Sequence, residues 1–126
     1  MRGLHDLSPV GLIPTLEFLF IQSLRRVTTL PSFARCVKLR RVHLETLKGL
    51  TDLTPLLTAA SLSQLTILNM PQLQPANVAV LSAHPALREA SVILNGQRKN
   101  EEVPRLLPLP AVPNLYDRHA ALHDLV

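Results

Sequence analysis

The residues best suited to bind a metal ion lie near the carboxyl terminus. His119 and His123 are four positions apart, so a helix would place both imidazoles on one face. Asp117 and Asp124 stand beside them in the sequence. Two histidines alone leave a zinc site two ligands short. We therefore expect a solvated tail helix here, and we predict that the protein holds no metal and no other cofactor.

Residues for catalysis are equally sparse. The sequence contains no G-x-G-x-x-G, P-loop, G-x-S-x-G or H-E-x-x-H motif. Cys36 is the single cysteine and lies among apolar residues, which indicates a buried structural thiol. His5 and His84 fall in predicted turns, where we expect surface side chains rather than general bases. The sequence therefore predicts that the chain is not an enzyme.

The composition indicates one folded domain with an unusual core. The chain has 126 residues, of which 47% are hydrophobic but only 3% aromatic, and 27 are leucine. This apolar content is too high for a disordered chain. An uncharged apolar run of about 18 residues, which a membrane helix needs, is missing. Asp6 lies in the leading segment, and Pro14 and Glu17 interrupt the apolar run that follows, so we expect a cytoplasmic protein rather than a secreted one.

Apolar residues recur with a period of 23. Three sets of apolar positions keep this step, namely Leu4, Val27 and Leu50; Leu7, Leu30 and Leu53; and Val10, Phe33 and Leu56. Four segments of the form L-x-x-L-x-L-x-x-L lie between them and begin at Leu16, Leu39, Leu65 and Leu87. The third of these consists of Leu65, Leu68, Met70 and Leu73. The step from Leu39 to Leu65 is longer than the step before it, and we assign the additional residues to a helical turn around TAASLSQ.

This pattern resembles the leucine-rich repeat family over residues 3–95. The tract GLTDLTPLLTAASLSQLTILNM is similar to bacterial internalin-type repeats. The resemblance implies an α/β solenoid of about four repeats over residues 1–99, with a short parallel sheet on the concave face and short helices or 3-10 turns on the convex face. It also implies a non-catalytic module that binds another protein. The asparagine usual at the ninth position of the repeat is replaced by Leu24, Leu47 and Leu73, and it occurs only at Asn95.

The predicted strands define a candidate binding surface. Side chains alternate along a strand, so the residues between the buried leucines point outward. We predict rows across the strands formed by Phe18, Arg41, Ile67 and Glu89, and by Phe20, His43, Asn69 and Ser91. Seven of these are expected to contact a partner protein: Phe18, Phe20, Arg41, His43, Ile67, Asn69 and Glu89. The alternative for the two phenylalanines is that a missing amino-terminal part of the protein, or a partner, simply covers them.

Basic residues concentrate in the 25–48 region. It carries one acid, Glu45, against seven bases, which are Arg25, Arg26, Arg35, Lys38, Arg40, Arg41 and Lys48. This leaves an alternative function open, in which the chain binds nucleic acid or another polyanion. The sequence lacks a recognition-helix or RNA-binding aromatic motif, so a protein partner is favoured.

The two ends of the chain complete the predicted organisation. Asn100, followed by Glu101 and Glu102, predicts a capping helix over residues 100–107 that lays Val103, Leu106 and Leu107 on the last repeat. Residues 108–126 should form a proline-rich linker and a short helix or tail. The chain opens in the middle of a repeat, so we expect the carboxy-terminal fragment of a longer repeat protein. Self-association through the open first repeat is the other expectation.

Overall fold

The computed structural model describes residues 7–24, 26–94 and 96–112. Its centre is a sheet of four parallel strands, arranged in sequence order. The strands are β1 (Phe18–Gln22), β2 (Arg41–Glu45), β3 (Gln64–Leu68) and β4 (Glu89–Ile93). The predicted α/β class with a short parallel sheet is therefore confirmed.

A 3-10 turn at Val10–Leu12 precedes β1. A 3-10 turn at Thr54–Thr58 connects β2 to β3, and the α-helix α1 (Pro75–Ala79) with a 3-10 turn at Val80–Ala83 connects β3 to β4. A longer helix, α2 (Gln97–Leu106), follows the last strand. Parallel neighbours need such crossovers because each strand must begin at the same edge of the sheet. No helix in the described ranges is long and apolar enough to span a bilayer.

The core lies between the sheet and these return segments. One face of each strand contributes to it, and Leu44, Leu65 and Ile67 are fully buried there. The periodic apolar positions supply the opposite side, and they are buried from Val27 to Leu56 as predicted: Val27, Leu30, Phe33, Leu50, Leu53 and Leu56. The strand residues and the periodic residues form one buried cluster, so the leucine-rich composition follows from repeating one packing unit.

The third repeat begins three positions earlier than predicted. Leu62 is fully buried before β3, and Ile67 pairs with Leu44 of β2 on the core face. Strands β1, β2 and β3 therefore start at a constant step, at positions 18, 41 and 64, whereas β4 starts two positions late, at 89. The two extra residues lie in the connection that holds α1, so their assignment to TAASLSQ is wrong. Leucines at 62, 65 and 68 satisfy the local pattern in either register. The step of 23 from Leu39 leads to Leu62, and pairing with β2 selects this register.

This shift corrects two candidate site residues. Ile67 has no exposed surface and belongs to the core, whereas the sequence predicted it on the outward face. Asn69 lies just beyond β3 rather than on the strand's outward face, and its side-chain amide donates to Thr46 Oγ1 over 2.9 Å. The physical reason is the two-residue period of a strand, because moving the register by an odd number of residues exchanges the two faces.

The residue after each of the first three strands adopts a left-handed backbone conformation. Ser23, Thr46 and Asn69 have φ values of 58°, 55° and 53°. Their amide groups donate to carbonyl oxygens of the next strand, namely Glu45, Leu68 and Ile93, over 3.0, 3.1 and 3.2 Å. A non-glycine residue in this conformation costs about 1–2 kcal/mol. The hydrogen bond to the next strand helps to offset that cost. Because the conformation recurs directly after each of these three strands, we infer that its role is structural.

Side chains from the following segment satisfy the loops after β2 and β3. Gln72 Nε2 donates to the carbonyls of Leu47 and Leu50, both over 2.6 Å. The ammonium of Lys99 donates to the carbonyls of Pro71 and Leu73 over 2.8 and 3.0 Å. These loops need such partners because buried backbone carbonyls are costly when they lack a hydrogen bond.

The capping helix starts earlier than the sequence indicated. Gly96, with φ of 138°, precedes α2, and Asn100 lies within the helix, where its Oδ1 accepts the Leu94 amide proton over 2.7 Å. Val103 is buried as predicted, and so is Leu107. Leu106 is 36% exposed, so its predicted place over the last repeat is wrong. The Leu94 amide lies at the edge of the sheet. The Asn100 side chain accepts its proton and therefore does not cap the start of the helix.

The proline-rich segment after α2 lies along the outer edge of β4. The Pro110 carbonyl accepts the Ala90 amide proton over 2.9 Å, and the Val112 amide donates to Ser91 Oγ over 2.9 Å. Residues 107–112 therefore cover part of an edge that would otherwise expose unpaired backbone groups. The predicted helix of residues 114–126, with His119 and His123, lies outside the described residues.

A glycine near the amino terminus provides a test of this packing. A Cβ atom at Gly11 would overlap the carbonyl oxygen of Ser32 and lie 3.2 Å from Pro31 Cβ. We expect Gly11→Ala to lower the free energy of unfolding by about 1–3 kcal/mol, because the backbone must move apart. Urea denaturation measures the difference. Leu12→Ala is the control, since Leu12 is 58% exposed, and it should cost less than about 0.5 kcal/mol. Equal stability of both variants would contradict the close contact.

Candidate interaction surface

The face of the sheet opposite the core carries the candidate functional residues, and we call it the outer face. Strand pairing aligns its side chains in three rows. Each row runs across the strands, and neighbouring side chains within a row are about 4.8 Å apart. The first row is Phe18, Arg41, Gln64 and Glu89. The second is Phe20, His43, Thr66 and Ser91, and the third is Gln22, Glu45, Leu68 and Ile93. Five of the seven predicted contact residues lie on this face: Phe18, Phe20, Arg41, His43 and Glu89.

On the half of the outer face formed by β1 and β2, the side chains contact and hydrogen-bond one another. The rings of Phe20 and His43 stack with centroids 4.5 Å apart and an angle of 25° between their planes. His43 Nε2 lies 3.0 Å from Glu45 Oε1, and Gln22 Nε2 donates to Glu45 Oε2 over 2.7 Å. Stacking and hydrogen bonds restrict the rotamers of these side chains. This half is therefore a pre-organised surface, in which one face of the Phe20 ring already contacts His43.

The second row lies deeper than its neighbours. His43, Thr66 and Ser91 are only 4%, 5% and 8% exposed, whereas the first and third rows consist of half-buried or exposed side chains. Sequence reasoning missed Thr66 because the incorrect register assigned Ile67 and Asn69 to the outward positions of this strand.

An apolar groove of about 400 Å³ lies beside β4. Its walls come from β4, α2 and the segment after α2, and they include Val92, Ile93, Val103, Leu107, Leu109 and Val112. Ser91 and Ile93 line both this groove and the outer face. The sequence carried no signal for the groove, because residues 108–112 were predicted to be part of a linker.

Charge is distributed unequally over the surface. The described ranges contain ten basic and six acidic side chains, but the outer face holds only Arg41, Glu45 and Glu89. The other described bases of the 25–48 region are exposed and lie outside this face, and Arg40 pairs with Glu17 over 3.7 Å. The basic region therefore does not converge on one surface of the kind that a polyanion needs.

The remaining reactive side chains have structural surroundings. Cys36 is buried as predicted, and burial raises the pKa of its thiol, which disfavours the reactive thiolate. His84 is 6% exposed, so its predicted surface position is wrong. Its Nε2 lies 2.8 Å from the Ala59 carbonyl, and its Nδ1 accepts the Ala86 amide proton over 3.1 Å. Within the described part of the chain, no three His, Cys, Asp or Glu side chains come together as metal ligands.

Comparison with known proteins found no matching family model, no matching curated protein and no matching solved structure. The strand register, the outer face and the groove are therefore the features that bear on function.

Proposed function

We propose that this chain is a leucine-rich repeat solenoid that acts as a non-catalytic protein-interaction module. Three features support the repeat assignment: the parallel strands follow in sequence order, the first three start at a constant step, and a left-handed residue follows each of those three. Side chains of Gln72 and Lys99 cap loop carbonyls, which is the role that the resemblance assigns to the missing asparagines. Each repeat then buries its leucines against its neighbours.

The proposed binding function rests on the regular rows of side chains on the outer face. Twelve side chains stand in register on strands whose other face is the core, so the sheet holds them at defined spacings. The Phe20, His43 and Glu45 contacts already restrict part of this surface before any partner arrives. A pre-organised surface loses less entropy on binding, and aromatic and arginine residues contribute strongly at interfaces. We propose the cytoplasm as the location, because the single buried cysteine needs no oxidising compartment.

Affinity capture from cell extract with matched variants tests this function. The full chain and the double variant Arg35→Ala/Glu101→Ala, which changes exposed charges away from the outer face, should retain the same proteins. The double variant Arg41→Ala/Glu89→Ala should retain them at least about fivefold less, because it removes two charged contacts. Thermal unfolding of each variant shows that it is folded. Equal capture by both double variants would contradict binding through the outer face.

A further inference from the structure

We propose that the outer edge of β4 binds a short, extended and apolar segment of a partner protein by strand addition. The segment enters the groove and forms main-chain hydrogen bonds with Val92. This site lies at the edge of the sheet and is additional to the proposed binding surface on the outer face.

Val92 has unpaired main-chain groups at this edge. The carbonyl of Ile93, the next residue, accepts the Asn69 amide proton over 3.2 Å, so the main chain of Ile93 faces β3. Successive residues of a strand direct their N–H and C=O groups to alternate edges, and those of Val92 therefore point away from β3. No described residue forms a hydrogen bond with either group. An exposed donor and acceptor of this kind are a ready template for an added strand.

Both ends of β4 are closed at its outer edge, and the centre is open. The Ala90 amide donates to the Pro110 carbonyl over 2.9 Å, and the Leu94 amide donates to Asn100 Oδ1 over 2.7 Å. The interval between Ala90 and Leu94 corresponds to about 13 Å of extended chain, which admits about three residues of an added segment. The opening therefore fits a short extended segment with Val92 opposite its centre.

The groove supplies apolar contacts beside these main-chain groups. Val92 lines it together with Val103, Leu107 and Leu109, and none of its described lining residues carries a charge. Its volume of about 400 Å³ lies near the lower limit of small binding pockets, so it can hold aliphatic side chains but not a folded element. Ile93, which is 49% exposed, extends the apolar surface at the rim.

These two features together define the chemistry of the segment. In strand addition the main-chain hydrogen bonds provide affinity, and pockets for alternate side chains provide specificity. The segment must therefore keep its own amide protons at the positions that face Val92. We expect leucine, isoleucine or valine in the part that enters the groove, because a charged side chain would lose its hydration there without gaining a partner.

The closed ends of β4 disfavour a second copy of this chain as the occupant. A strand within a folded repeat would have to pair along most of β4, and the Ala90 and Leu94 amides are already bonded. An extended segment without neighbouring strands needs only the open centre.

Nuclear magnetic resonance titration of the full chain with three synthetic peptides tests the proposal. The probes are acetyl-STVLVTS-amide, the same peptide with N-methyl groups on its three central residues, and acetyl-STVEVTS-amide. We expect the first peptide to shift the Val92 amide proton downfield and to slow its exchange with solvent, because this amide gains a hydrogen bond. The methylated peptide cannot donate to the Val92 carbonyl and should bind about tenfold more weakly. The peptide with the central glutamate should leave the Val92 signal unchanged.

Three variants of the chain locate the binding site. Leu109→Ala shortens a wall of the groove and should weaken the first peptide about three- to tenfold. Leu106→Ala is the matched control, because Leu106 is an exposed leucine of α2 that does not line the groove, and it should leave the affinity unchanged. Val92→Pro removes the amide proton at an edge position that tolerates proline, and it should weaken binding by a similar factor to Leu109→Ala. Thermal unfolding shows whether each variant is folded.

Four results would overturn the proposal. Equal affinity of the methylated and unmethylated peptides would exclude strand addition, and equal affinity of Leu109→Ala and Leu106→Ala would exclude the groove. A Val92 amide that is protected from exchange in the peptide-free chain at every concentration would show that the chain itself already pairs with this edge. Protection that disappears on dilution would assign the edge to a second copy. None of these results bears on capture through the outer face.

Discussion

Ile67→Ala is expected to lower the free energy of unfolding by about 2–5 kcal/mol, because it removes buried methyl groups and leaves a cavity in the sheet core. Ile67 has no exposed surface and pairs with Leu44 in the middle of the stack. Neighbouring repeats cannot close such a gap without disturbing their own leucines. Equilibrium unfolding in urea, followed by far-ultraviolet circular dichroism, measures the loss.

Leu68→Ala is the matched control, since it removes a similar side chain at the next position. Leu68 is half-buried on the outer face, so we expect a cost of less than about 1 kcal/mol. The local leucine pattern alone favours the opposite order, with Leu68 in the core and Ile67 outside. A larger loss for Leu68→Ala than for Ile67→Ala would therefore restore the register that begins at Leu65.

His84→Leu should lower the free energy of unfolding by about 2–4 kcal/mol, although leucine fills much of the same volume. The imidazole joins the Ala59 carbonyl to the Ala86 amide, and it is 6% exposed. Leucine leaves both backbone groups without a partner, and each buried unsatisfied group costs about 1–3 kcal/mol. The midpoint of thermal or urea unfolding reports the effect.

Two further variants identify the cause. His84→Asn keeps an acceptor near Nδ1 but loses the bond to the Ala59 carbonyl, so its cost should fall between those of wild type and His84→Leu. Ser82→Ala changes an exposed residue in the 3-10 turn just before His84 and should remain within about 0.5 kcal/mol of wild type. If His84→Leu were as stable as Ser82→Ala, the two hydrogen bonds would not contribute to the fold.

Rigid packing below the sheet has a consequence for the outer face. The side chains that contact Glu45 come from β1 and β2, and the core residues between them are almost fully buried. Substitutions on the outer face should therefore change binding with little change in stability, whereas core substitutions change both.

Much of the fold was predictable because one apolar period dominates the sequence. Leucine-rich positions at a step of 23 place β1 and β2, and the alternation within each strand assigns Phe18, Phe20, Arg41 and His43 to the outer face. Their role in partner binding stays a prediction. The register of β3 was not predictable locally, because Leu62, Leu65 and Leu68 satisfy the same spacing in two ways.

The role of polar side chains was even less apparent from the sequence. His84 and Asn100 occupy turn and helix-start patterns, yet both serve backbone groups that are distant in the chain or in a different element. Gln72 and Lys99 likewise cap loops that precede them by roughly one repeat. A side chain's hydrogen-bond partner depends on which segments stack together, and spacing within one segment carries no information about that.

The sequence by itself determined that this chain repeats one short unit, because burial of leucine at a fixed step is encoded locally by the apolar period. It also determined which side chains of β1 and β2 point outward, because only one register of these strands fits that period. Tertiary structure alone decided the groove between β4 and residues 107–112, and pairing with β2 settled the β3 register that the local leucine pattern left open. These features arise from pairing between segments, where a hydrogen-bonded neighbour selects one of several locally equivalent arrangements.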